Sequence, residues 1–268
     1  MKRKFIGAAL IAMTPVACNT KLEIPEVYGE LSVSLAGEPT VEVVSKAGEQ
    51  QEPTVLQPTD TEAAGYMVRI YTSDDEMKYE SPYSEFKPQK LPLGTYYVTA
   101  ENCTEAYAES AESGKGMKRI AGQSADVTLT PDALTGNATV NCTVTNALVS
   151  VKFDASVEDR FENLKVTLTG GTSSKTIEVT ETATDVVTEI WFNPSELTYT
   201  ITGTFTGSGM NKPVNINNST APITLEARNH IQLIVKVNLE NGQLKPSVTV
   251  DPEIDDPTEV NGEFNPYK

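Results

Sequence analysis

After residue 28 the chain alternates apolar and polar positions with a period of two, and no stretch keeps helical spacing for three turns, which predicts strands throughout. Leu31, Val33 and Leu35 alternate with Ser32 and Ser34, and Tyr66, Val68 and Ile70 with Met67 and Arg69. Further strands are predicted over 95–100, 126–130, 139–153, 164–168, 176–180, 190–192, 197–205, 223–227, 231–239 and 247–250. Gly170-Gly171 and Pro194 mark turns between them, and the Gln-, Pro- and Thr-rich stretch 49–61 reads as a loop. Short strands at this spacing point to an all-β protein built from sandwiches.

Within 139–153 the apolar positions change parity. Val140, Cys142 and Val144 are even, whereas Val149, Val151 and Phe153 are odd. A parity change turns the buried face over. Either a bulge near Asn146 re-aims one strand, or the chain leaves one sandwich there and enters another. The second is preferred, because the length accommodates two cores of ordinary domain size.

The first residues follow a different grammar. Met1-Lys2-Arg3-Lys4 is a basic start, Phe5 to Met13 is a short apolar run, and Pro15-Val16-Ala17-Cys18 ends it with small residues before a cysteine. The run is about half the roughly 18 apolar residues that span a bilayer, so it predicts a secretory signal over 1–17 in place of a transmembrane helix. A cysteine at that point is where a bacterial lipoprotein is cleaved and acylated. Cys18 is therefore the expected lipidation site, although Pro15 stands where Leu is usual. The acyl chains would supply the membrane affinity.

Composition narrows the chemistry. Valine and threonine contribute 25 and 33 of the 268 residues, a usage that favours pleated chains. The formal charge of -16 repels phosphate backbones, and no basic patch offsets it, so no nucleic-acid partner is expected. With one histidine, His230, and cysteines only at 18, 103 and 142, a zinc site is not expected, nor any other metal or cofactor.

Four segments in order resemble a known family. They are Gly29-Glu30-Leu31-Ser32-Val33, Tyr66-Met67-Val68-Arg69-Ile70, the run Leu91-Pro92-Leu93-Gly94-Thr95-Tyr96-Tyr97-Val98-Thr99-Ala100, and Val140-Asn141-Cys142-Thr143-Val144-Thr145-Asn146-Ala147-Leu148-Val149-Ser150-Val151. Together they resemble the Bacteroidota lipoprotein family catalogued as domain of unknown function 4493, over about residues 28–245. The resemblance implies a distant likeness to fimbrillin-type adhesins, which are paired β-sandwiches displayed from the outer membrane. It brings no catalytic residue with it.

Several residues carry candidate chemistry beside a plainer role. Cys103 and Cys142 form either a disulfide between strands or two buried thiols. Tyr79, Tyr83, Phe86 and Trp191 could stack on a sugar or cover sandwich edges, and packing is favoured. The acids Asp74-Asp75-Glu76, and Asp251, Glu253, Asp255 and Asp256, lack a calcium-loop pattern and read as solvated surface. His230 stands at a turn with no Gly-x-Ser-x-Gly elbow to partner it.

The expectation is therefore two tandem immunoglobulin-like or fimbrillin-like β-sandwiches after a lipoprotein signal peptide. The division is signal 1–17, lipidated spacer 18–28, first sandwich 29–146, second sandwich 147–250 and acidic, Pro-containing tail 251–268. Function is expected to be non-catalytic, as a lipid-anchored outer-membrane or cell-surface module for adhesion or fimbrial structure. Its partners would be the membrane, through the lipid, and other surface or fimbrial subunits or glycans. A glycan-binding protein of a polysaccharide-uptake system is the alternative, and a glycoside hydrolase-like enzyme the third.

Overall fold

The computed structural model describes residues 26–37, 54–180, 186–206, 211–238, 243–251 and 258–261. The predicted signal, Cys18 and most of the spacer lie outside the described residues. The protein is all-β, in two modules, each with its own apolar core.

The first module comprises β1 (Tyr28–Gly37), β2 (Thr54–Leu56), β3 (Met67–Thr72), β4 (Met77–Pro82), β5 (Gln89–Pro92), β6 (Gly94–Glu101), the short helix α1 (Glu105–Ser110), β7 (Ile120–Gln123), β8 (Val127–Leu129) and β9 (Thr135–Val144). The strands run in the order β2-β1-β9-β7-β6-β3-β4, with β5 also on β1 and β8 also on β6. β7 joins β9 through the pairs Ile120–Val144 and Ala121–Thr143. Gly122 lets β9 pass close by, since a Cβ there would run into the Asn141 carbonyl oxygen. Leu31, Leu35, Val140 and Cys142 from one face meet Val68, Ile70, Val98 and Ala100 from the other.

The second module comprises β10 (Ala147–Phe153), β11 (Phe161–Gly170), β12 (Lys175–Thr180), β13 (Val187–Phe192), β14 (Ser195–Phe205), β15 (Lys212–Asn217), β16 (Ile223–Leu225), β17 (His230–Asn238), β18 (Gln243–Asp251) and β19 (Thr258–Asn261). One sheet runs β13-β10-β17-β18-β19 and the other β12-β11-β14-β15, with β16 also on β14. Val149, Val151, Ile190, Ile231 and Leu233 pack against Val166, Leu168, Leu197 and Ile201. In both modules the opening strand pairs parallel with a late one, β1 with β9 and β10 with β17.

The parity change falls between β9 and β10, where Cys142 belongs to the first core and Val149 to the second. The segment expected to be a tail contains a strand, because β19 pairs antiparallel with β18. A sheet edge supplies backbone donors and acceptors, so a polar segment can join it without apolar side chains to bury.

Candidate functional site

Two places gather polar side chains. The first is the junction between modules. Thr104 caps α1 by accepting the Tyr107 N–H at 3.3 Å, and this helix and the loop after it reach the edge of the second module. The Trp191 N–H on β13 donates to the Lys115 carbonyl at 2.7 Å. Lys175, on β12, extends its ammonium to the carbonyls of Trp191 at 2.6 Å, Glu109 at 2.9 Å and Gly114 at 3.1 Å. The same nitrogen sits 4.6 Å from the centre of the Phe192 ring, within the range of cation–π attraction. Burial lowers the Lys175 pKa to about 8, with the negative Glu109 opposing the shift.

Glu109 is 6% exposed, with Oε2 accepting the Ser173 N–H at 3.1 Å and Oε1 lacking a hydrogen-bond partner. Room for this carboxylate comes from Gly171, where a Cβ would collide with Oε1. The positive φ of Gly171 is also one that a side chain rarely adopts. Asn146 completes the junction. Its Oδ1 accepts the Arg119 N–H at 3.0 Å, its Nδ2 donates to the Met117 carbonyl at 2.8 Å, and its own carbonyl accepts the Arg228 N–H at 2.9 Å. One asparagine thus fastens the loop after α1 to the loop before β17.

The second place is the outer face of β3, β6 and β7. Glu101 accepts from Arg69 Nη1 at 2.6 Å through one oxygen and from Arg119 Nη2 at 2.9 Å through the other. Arg69 also donates to Glu80, and Arg119 to the Thr145 hydroxyl at 3.0 Å and the Cys103 carbonyl at 3.3 Å. Burial raises the Glu101 pKa, but the hydrogen bonds and charges of the two arginines outweigh it and hold the carboxyl below its ordinary value. Beside this network Tyr71 and Tyr97 stack with ring centres 5.2 Å apart. An open groove of about 460 Å³ runs between Tyr71 and Arg119 over Thr99, Ala121 and Gln123.

The residues singled out from sequence are placed differently. Cys103 and Cys142 are free thiols. Cys103 stands level with Arg119 and Thr145, two strands from β9, while Cys142 lies three residues further along β9. At about 4.8 Å per strand and about 3.3 Å per residue they are about 14 Å apart, well past the reach of a disulfide. Tyr83 is 5% exposed, its hydroxyl donating to the Leu56 carbonyl at 3.2 Å, so its ring offers no face to a sugar. Tyr79 and Phe86 meet edge to face at 5.7 Å and pack against the first core. Trp191 lies apart from them, at the junction.

His230 has a partner that the turn position did not suggest. The parallel β10–β17 register brings its Nε2 to 3.0 Å from Ser150 Oγ. A nucleophile must meet its substrate, however, and Ser150 is buried. Among the described residues no cluster of His, Cys, Asp and Glu could hold a metal. No helix among them is long and apolar enough to cross a membrane.

A domain of unknown function, DUF4493, matches residues 28–261. The chain belongs to that family. No curated protein matches it. Its strand arrangement is similar to three solved structures. A candidate adhesin from Bacteroides ovatus shares 10% identity over 90% of this chain and 96% of that one, with a TM-score of 0.46. A fimbrial assembly protein from Parabacteroides distasonis shares 9% over 88% and 100%, with a TM-score of 0.45. The fimbrial anchor protein from Porphyromonas gingivalis shares 13% over 84% and 98%, with a TM-score of 0.44.

Proposed function

We propose that this DUF4493 protein is a non-catalytic module of the cell surface, tethered through lipid on Cys18, that holds a stiff pair of β-sandwiches away from the membrane for adhesion or fimbrial assembly. The observation that carries the proposal is the junction. Two sandwiches on a simple linker would swivel, because interdomain contacts are by default loose. Here the bonds of Lys175 to the Glu109 and Gly114 carbonyls, of the Trp191 N–H to the Lys115 carbonyl and of the Arg228 N–H to the Asn146 carbonyl cross the boundary, and such bonds resist shear. Stiffness of this kind serves a load-bearing or display role, and an enzyme confined to one module would have no use for it.

The test uses intact cells. Labelled palmitate should enter the protein and be lost in Cys18→Ala. Protease shaving should release the sandwiches, and crosslinking should join them to other surface subunits. A protein that takes up no palmitate and stays protease-protected and uncrosslinked would refute the proposal.

A further inference from the structure

The groove on the outer face of β3, β6 and β7 is not part of the junction, and its chemistry is lopsided. Both Glu101 oxygens are occupied by arginines, so the one carboxylate lining the groove has its acceptors engaged. Donors remain. Arg69 uses Nε and Nη1 on Glu80 and Glu101, which leaves the N–H groups of Nη2 without a protein partner among the described residues. The Gln123 amide and Thr99 hydroxyl likewise have no such partner, and register places them in one row with Arg69, since Arg69 pairs with Thr99 and Thr99 with Gln123. The floor is low because Ala121, paired with Glu101 on this face, presents only a methyl group. Tyr71 forms one wall, braced from behind by Tyr97, whose hydroxyl is held by Asp75 at 2.6 Å.

Arg69 and Arg119 are balanced by Glu101 in the lining and Glu80 at the rim, so the groove is close to neutral on a chain of net -16 while one guanidinium edge stays open. Screening over about 8 Å at physiological salt keeps the chain's more distant acids from repelling an anion at the open Arg69 donors. A donor-rich trough beside an aromatic ring suits a ligand with a planar anionic acceptor group and a flat apolar face. A pyranose bearing a carboxylate has both, and the volume falls within the roughly 300–1,000 Å³ of small-ligand sites. We propose that this groove binds acidic saccharides, with the sugar carboxylate on Arg69 Nη2 and Gln123 and the ring against Tyr71. The proposal does not depend on lipid attachment or on any fimbrial partner.

Titration calorimetry on the full chain would test it with trigalacturonate, sialyllactose, neutral galactotriose and triglutamate. One or both acidic sugars should bind, weakening about tenfold as salt rises from about 50 to about 500 mM. Tyr71→Ala and Gln123→Ala should each weaken binding at least about tenfold while circular dichroism and melting temperature stay close to those of the parent. Neither residue is in the core, so loss of binding in a folded variant is informative. Silence from both acidic sugars at millimolar concentration, equal binding of galactotriose or triglutamate, or binding indifferent to both substitutions would overturn the proposal.

Discussion

The backbone N–H of Trp191 donates to the carbonyl oxygen of Lys115 at 2.7 Å, so the edge strand of the second sandwich is closed by a loop of the first. An open strand edge recruits other chains, and here part of it is satisfied internally. Trp191 is also the single tryptophan, which makes the junction directly observable.

Lys175→Met should loosen that junction. Three carbonyls lose a charged donor. The loss should cost about 1–3 kcal/mol in stability. Hydrogen exchange should speed up at the amides of Trp191 and Met117, while Val68 and Val166, in the two cores, keep their protection. Trp191 emission should shift to the red. An unchanged exchange pattern would mean that Lys175 contributes nothing to docking.

Gly171→Ala should destabilise for two separable reasons. The new methyl would meet Glu109 Oε1, and the backbone there has a positive φ. Holding an L side chain in that left-handed region costs about 1–2 kcal/mol. Combining the change with Glu109→Ala should remove the collision and leave the backbone strain. A double-mutant cycle by chemical denaturation should therefore show favourable coupling between the two positions.

The arginine pair around Glu101 predicts a pH dependence. Its carboxyl titrates below its ordinary 4.5 when folded and near that value when unfolded. Its contribution to stability is thus complete above about pH 4.5 and disappears as pH falls through the lower, folded value. Thermal melts from about pH 3 to about pH 7 should show a steeper acid loss in the parent than in Glu101→Gln. Parallel curves would contradict this.

Both remaining thiols should stay reduced. Burial raises the pKa of Cys142 to about 11 and that of Cys103 less far, with Arg119 pulling the latter back. Alkylation of the native protein should label Cys103 first and leave Cys142 unlabelled until the chain unfolds. Peptide mapping that found the two joined would contradict the separation set by the strands.

Strand positions were legible because burial on one face leaves a period of two, as in Val166 and Leu168 or Tyr96 and Val98. The parity change at Asn146 likewise marked where one core gives way to the other. The junction was not legible. Glu109, Lys115 and Lys175 are ordinary charged residues in sequence, and only long-range folding buries Glu109 and brings Lys175 to its carbonyls. The aromatics around Ser81-Pro82 stood out in sequence, yet alternation along β3 and β6 places Tyr71 and Tyr97 on the outer face, while Tyr83, in the turn after β4, is buried. The Ser150–His230 contact depends on a parallel pairing across 80 residues, which local pattern cannot disclose. Cys103 and Cys142 suffered the same limitation, since their distance is set by how many strands intervene.

The parallel pairing of β1 with β9 fixes when the first sandwich can close. Ser32 and Asn137 are neighbours across that ladder although 105 residues separate them. A chain emerging from its amino end must therefore leave β1 with an unfilled side until β9 appears, and loops of that length close slowly. For that interval the exposed edge is a hazard, and a holding chaperone that shields extended segments would raise the yield of folded protein.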